Sequence, residues 1–198
     1  MSGPTRFWTG ERIRLRAVEP EDWQQFAAFN LEAETQRDGD RLLAPPSAVV
    51  ARKWAQEQSE KRPGGPADDY SMAVEVRESG EMAGDLSVGG CDRLNGHFHY
   101  GISLGTAYQR RGYASEAVRL MLSFMFGERR YHRCHAEVYG GNTGSLALHR
   151  KLGFTEEGVL REHVFQGGSY RDLHQFGLLA REFEEHERAA GREPYFRW

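Results

Sequence analysis

The sequence has no apolar run near the ~20 residues that a membrane-spanning helix needs, which excludes a helical span. It has only two cysteines, Cys91 and Cys134, without Cys-x-x-Cys spacing. Such a pair makes neither a disulfide framework nor a cysteine metal site. Both lie in apolar, strand-like surroundings, as buried free thiols do. Positive charge is not in excess: 26 Lys and Arg stand against 29 Asp and Glu, for a formal net charge of −3. That excludes a nucleic-acid binder relying on a dominant positive field. Residues 1–8 lack the basic and apolar segments of a secretory signal, so a cytoplasmic setting is expected.

What the chain does have is ordinary for one soluble α/β domain. It is 39% apolar and 28% charged over 198 residues, enough to bury a substantial core. Basic residues cluster at Arg110-Arg111, at Arg129-Arg130 with Arg133, and at Arg150-Lys151. Local patches of this kind on a mildly acidic chain suit a small anionic ligand better than a duplex.

Residues 12–16 alternate and predict a first strand. Pro20, tolerated in a first helical turn, precedes Trp23, Phe26, Ala27 and Leu31 at helical spacing. Residues 35–46 read as a loop punctuated by Asp38-Gly39-Asp40 and Pro45-Pro46. A helix is expected over 47–61, broken by Pro63-Gly64-Gly65-Pro66. Then comes a meander. Tyr70, Met72, Val74 and Val76 alternate, Ser79-Gly80 turns the chain, and a strand runs over 82–91. Asn95-Gly96 predicts a hairpin with a type I′ turn, leading to a strand over 98–104. From Gly112 the apolar period becomes helical, with Ala114, Ala117, Val118, Met121, Leu122, Met125 and Phe126 on one stripe. A strand over 133–139, a helix over 143–152, strands over 159–165 and 170–179, and a polar helical tail from about 180 complete the chain. Residues 1–198 read as a single domain without repeats.

Between the strand ending at Leu104 and the apolar helix stands Gln109-Arg110-Arg111-Gly112-Tyr113-Ala114. The first N–H groups of a helix lack intrahelical partners and carry the positive end of its dipole, a combination that binds phosphate. Gly112 lets the backbone approach a ligand, small Ala114 keeps the path clear, and Ser115 adds a hydroxyl donor. Farther on, Asn142-Thr143-Gly144-Ser145 opens a helix that Lys151-Leu152-Gly153-Phe154 closes. These blocks, in this order, resemble the GCN5-related N-acetyltransferases, whose cofactor signature is Gln/Arg-x-x-Gly-x-Gly/Ala. The resemblance covers roughly residues 11–179. Gly158-Val159-Leu160-Arg161 with Gly168-Ser169-Tyr170-Arg171-Asp172 looks most like the RimJ/RimL branch.

The resemblance implies an α/β fold with a central mixed, mostly antiparallel sheet flanked by helices. A splayed parallel strand pair, 98–104 and 133–139, would hold acetyl-CoA, with no metal. The implied cofactor contacts are Ile102 and Leu104 on the splayed strand, then Gln109, Arg110, Arg111, Gly112, Tyr113, Ala114 and Ser115, then Asn142. Gly101 would ease a bulge in that strand. The implied reaction transfers acetyl from acetyl-CoA to a primary amine, foremost a protein or peptide N-terminus. A small-molecule amine acceptor, a succinyl donor and a non-catalytic acyl-CoA sensor are the alternatives. A homodimer is common in this branch, and Tyr195, Phe196 and Trp198 are candidates for its contact.

Asn142, Ser145 and His149 fall at i, i+3 and i+7 and share one helical face. By resemblance, Ser145 lies near the cofactor sulfur as a proton donor, and His149 stands where the family often has an acidic tyrosine. His99 stands where related sequences often carry a glutamate base. His97 on the same strand face, and Glu162 or His163, are rivals for that role. The acceptor is expected to enter past the first two helices, near residues 35–46, where Asp38, Asp40 and Arg41 would line the way.

Overall fold

The structure is a computed structural model and describes residues 7–39, 42–61 and 69–194. The expected features at Asp40, Arg41, Pro63–Pro66 and the aromatic tail lie outside the described residues, as does the Asp38 side chain. A seven-stranded sheet organises the chain. In chain order its strands are β1 (Ile13–Ala17), β2 (Tyr70–Val76), β3 (Met82–Asp92), β4 (His97–Leu104), β5 (Arg133–Tyr139), β6 (Thr155–Gln166) and β7 (Ser169–Leu179). Their order across the sheet is β1-β2-β3-β4-β5-β7-β6. Every neighbouring pair is antiparallel except β4 and β5. The helices are α1 (Trp23–Phe29), α2 (Ala33–Gly39), α3 (Ala48–Ser59), α4 (Tyr113–Gly127), α5 (Thr143–Lys151) and α6 (Ala180–Ala189). The α/β fold read from the sequence is therefore the observed one.

The two faces of the sheet are unequal. On one, the stripe of α4 is fully buried at Ala117, Val118, Leu120, Met121, Leu122 and Met125, against Tyr70, Met72, Val74, Leu86, Phe98 and Tyr100. Each such large side chain contributes roughly 1.5–3 kcal/mol, which fixes α4 and the turn that begins it. Glu187 on α6 is buried and bonded by Arg119 and Arg192, tying the tail helix to α4. The other face carries a smaller cluster, Val18, Phe26, Ala55, Ala73 and Met82, under α1 and α3. There Arg16 donates to both Asp22 oxygens at 2.7 and 2.8 Å and to Glu75 at 2.7 Å, pinning α1 over the sheet. That thinner side leaves room for a cavity.

Several local expectations change. The connection Arg93–Gly96 is a four-residue turn, not type I′. Gly96 alone takes a positive φ of 72°, while Asp92 Oδ1 accepts from the N–H groups of Leu94 and Asn95 at 2.9 Å. The aspartate side chain thus organises the turn that Asn95 was expected to make. No bulge forms at Gly101, which pairs in regular register with Ser87. The register shift falls on β3 between Gly89 and Asp92, where Gly90 has φ +55°. Residues 33–39 form α2, which takes in the first part of the expected loop 35–46, with Gln36 N–H bonded to Glu32 O. A short helix with a polar sequence has no apolar stripe to announce it. β6 begins at Thr155, earlier than expected, because its charged first half lies exposed on the sheet edge. Cys134 is buried and Cys91 half-buried, and both are free thiols.

Candidate active site

Strands β4 and β5 pair only at His97 with Arg133, Phe98 with Cys134, and His99 with His135. Beyond His99 they diverge, leaving the β5-side edge of residues 100–103 without a strand partner. Backbone polar groups left free in this way need other partners. The gap opens into a cleft of about 470 Å³ between β4, the start of α4 and the start of α5.

The cleft is closed at one end by the turn into α4. Gln109 Nε2 donates to Leu104 O at 3.1 Å and folds the turn back on the strand. Arg110 has φ 59° and Gly112 φ 84°, so two left-handed residues flank Arg111. Such backbone alternation makes concavities of N–H groups that favour anions. The φ of Gly112 calls for glycine, and a Cβ there would sit 2.6 Å from Arg12 Nη1 and push that guanidinium aside. Arg12 Nη1 also donates to Arg111 O at 3.1 Å, and the Arg12 N–H donates to Glu116 Oε1 at 3.0 Å. The first helical bond of α4 is Glu116 N–H to Gly112 O, so the N–H groups of Tyr113, Ala114 and Ser115 are not used within the helix. Ile102, Leu104, Gln109 and Arg110 line this cleft, as do Gly112, Tyr113, Ala114 and Ser115. Arg111 does not; its carbonyl anchors the turn from behind. Lys151, outside the expected set, adds a second cation to the lining. A ring of free N–H groups with two cations beside it fits a pyrophosphate.

The opposite wall is the start of α5. Asn142 Oδ1 caps the helix by accepting from Ser145 N–H at 2.8 Å, and both residues line the cleft. His149 does not reach it. That ring is 3% exposed, stacked on Phe176 at 5.2 Å and edge-on to Phe154 at 5.1 Å. Its Nδ1 lies 2.8 Å from Ser145 O, an acceptor only, so Nδ1 carries the proton. Nε2 then accepts from the Tyr100 hydroxyl at 2.8 Å. Burial lowers the His149 pKa and keeps the imidazole neutral. The arrangement fastens α5 to β4 and holds Ser145 at the wall, where its Oγ is 3.4 Å from His149 Nδ1.

A second cavity, of about 480 Å³, lies on the α1–α3 side and shares Thr35, Ile102 and Ser103 with the first. Phe26, Phe29, Leu43, Val50 and Trp54 make its walls largely apolar. Among its described lining residues the single charged side chain is Asp85. This carboxyl, directly opposite Ser103 in the register, was not anticipated from the sequence. Burial pushes its pKa up to about 7. The sequence does hold a signal for it, since aspartate inside an apolar strand is disfavoured and calls for a reason.

The histidine candidates for a base lie elsewhere. His99 lines neither cavity; its ring packs against Gly90, whose Cβ would fall 2.4 Å from His99 Nδ1. It sits in a row with His97 and His135, with ring centroids 5.8 and 5.5 Å from His135. Glu162 and His163 are exposed on edge strand β6 and line neither cavity. Among the described residues, no group of three or more His, Cys, Asp or Glu side chains could hold a metal ion. No described helix is long and apolar enough to cross a membrane.

Residues 12–155 match the family described as the acetyltransferase (GNAT) domain. The chain belongs to the GNAT acetyltransferase family. It is similar to the SPbeta prophage-derived uncharacterized N-acetyltransferase YokL of Bacillus subtilis (strain 168), with 38% identity over 90% of this chain and 96% of that protein. The putative ribosomal N-acetyltransferase YdaF of the same organism is 26% identical over 88% of this chain and 94% of its own length. Among solved structures, a GCN5-related N-acetyltransferase from Brucella melitensis superposes with a TM-score of 0.75 at 25% identity. The match covers 93% of this chain and 83% of that one. The chain is thus an acetyl-CoA-dependent N-acyltransferase, and its splayed strand pair is the feature around which this acetyltransferase is built.

Proposed function

We propose that this acetyltransferase modifies the α-amine of a peptide or protein N-terminus, with acetyl-CoA in the cleft beside α4 and the acceptor in the apolar cavity. The observation that carries this reading is the meeting of the two cavities at Thr35, Ile102 and Ser103. An amine entering on one side of β4 comes up against a thioester held on the other.

The N–H groups of Tyr113, Ala114 and Ser115, with Arg110 and Lys151, hold the pyrophosphate. The free edge of β4 around Ile102 and Ser103 holds the pantetheine and orients the acyl carbonyl. When bound, acetyl-CoA supplies an activated acyl group and a thiolate leaving group. The Ser145 hydroxyl, held by the α5 cap and the Tyr100–His149 pair, donates to that sulfur. The acceptor cavity has apolar walls and a single described carboxylate, which suits one ammonium beside an apolar side chain. A polyamine would call for several carboxylates along its length. The putative ribosomal assignment of YdaF accords with a protein N-terminus.

The test is thiol release from acetyl-CoA against peptides with free N-termini, polyamines and aminoglycoside-like amines. Peptides beginning with an apolar residue are expected to give the highest kcat/KM. Faster turnover of polyamines than of every peptide would overturn the reading.

A further inference from the structure

We propose that Asp85 receives the ammonium group of the acceptor and takes its proton, which makes it a catalytic residue and the determinant of a singly charged amine substrate. The inference rests on the amine-acceptor reading above and adds to it the group that readies the nucleophile.

Its position is the first ground. Asp85 lies in a cross-strand row that runs Arg16, Ala73, Asp85, Ser103 over β1 to β4. Ser103 lines both cavities, so the carboxyl stands one strand from the place where they meet. Its isolation is the second. The cation in the same row, Arg16, is already bonded to Asp22 and Glu75. Arg52 of α3 lies over the Trp23 ring, 4.4 Å from its centroid. Glu32, at the foot of α2, is bonded to the Thr35 hydroxyl and the Thr106 N–H. From α1, Phe26, Phe29 and Asn30 face the cavity, and from α3 Val50, Ala51 and Trp54; none of these is charged. A carboxylate set in such a place, with no counter-ion among the described residues, is electrostatically incomplete, and an arriving ammonium completes it.

The chemistry then follows. An N-terminal ammonium has a pKa near ~8 and a carboxyl in water ~3.9, a poor match for proton transfer. Burial at the cavity floor raises Asp85 to about 7 and closes most of that gap. One N–H bond of the ammonium breaks, and its electron pair stays on nitrogen as the attacking lone pair. The proton passes to an Asp85 carboxylate oxygen and returns to solvent through the open side of the cavity. Gly101, opposite Ser87 on the same face, lines the cavity without a side chain to narrow it.

Two readouts test this. The first is kcat/KM for an acceptor peptide against pH in the wild type, Asp85→Asn and Asp85→Glu. The wild-type profile is expected to rise through a limb near 7. Asp85→Asn is expected to lose that limb and about 100-fold in kcat/KM, and Asp85→Glu to recover part of both. The second, independent of turnover, is calorimetric binding of a free-amine peptide and its N-acetylated form to the protein saturated with CoA. Asp85→Asn is expected to weaken the free amine by roughly 10-fold or more and to leave the acetylated peptide unchanged. If the wild type acetylates peptides and Asp85→Asn stays within about twofold with the limb intact, the Asp85 role falls and the function stands. If the wild type neither binds nor acetylates any amine, the acceptor reading falls and takes this inference with it.

Discussion

The two cavities that share Ile102 and Ser103 are made of different materials. The cofactor side is backbone: free N–H groups at the start of α4, two left-handed residues before it, and an unpaired strand edge. The acceptor side is side chains: aromatic and aliphatic walls around one carboxyl. On the proposed reading, backbone geometry, with Arg110 and Lys151 beside it, grips what every turnover shares, a pyrophosphate and a pantetheine. On the same reading, side chains grip what sets one acetyltransferase apart from another, the amine. The cofactor side is therefore expected to be brittle to changes of conformation, and the acceptor side to be tunable by changes of shape.

The largest expected break comes at Gly112. Valine there meets both a φ of +84° and the Arg12 guanidinium. Strain of about 1–3 kcal/mol or more should weaken CoA binding by roughly 5- to 150-fold. Calorimetry with CoA checks this, and peptide affinity should change far less. Next is the link between the sides. Tyr100→Phe leaves His149 Nε2 without its donor, which should cost about 1–3 kcal/mol of stability. A lower midpoint in denaturant with an unchanged slope is the expected signature. Trp54→Ala, on the acceptor wall, should raise the peptide KM by roughly 5–10-fold and leave CoA affinity within about twofold.

The last effect is in stability against pH. Asp85 has its pKa raised from 3.8 to about 7 by burial, so the folded protein binds more protons than the unfolded chain between those values. Its contribution therefore worsens as pH rises from about 4 to about 7. Asp85→Asn removes that loss and should be more stable than wild type at pH 8, with no such advantage near pH 3.5. Thermal midpoints at the two pH values check it. An equal difference at both would contradict the direction of the shift.

The same division explains what the sequence made legible. Gln109, Gly112 and Ala114 stand at fixed spacing because a backbone grip demands particular residues at particular places. Asn142 and Ser145 were legible for the same reason, as a helix cap and the N–H it accepts. Asp85 was legible only as an aspartate out of place in an apolar strand, because its meaning depends on Ser103 beside it and on α1 and α3 above it, far away in the chain. His149 shows what linear reading leaves out, the depth of a side chain. Helical spacing places it beside Ser145, as observed, but its ring turns inward onto Phe154 and Phe176 while its neighbours Arg150 and Lys151 stay exposed. His99 lies on the strand face that Ser103 also occupies, yet the glycine-bearing bulge of β3 takes up its ring short of the cavities.

The most direct measurement is the affinity of a bisubstrate conjugate, CoA joined through an acetyl bridge to the N-terminus of a peptide. If the two cavities hold the two substrates and meet at Ile102 and Ser103, the conjugate binds at least ~100-fold tighter than CoA alone. Gly112→Val and Trp54→Ala then each weaken it. A conjugate that binds no tighter than CoA, and is indifferent to Trp54, would contradict the junction.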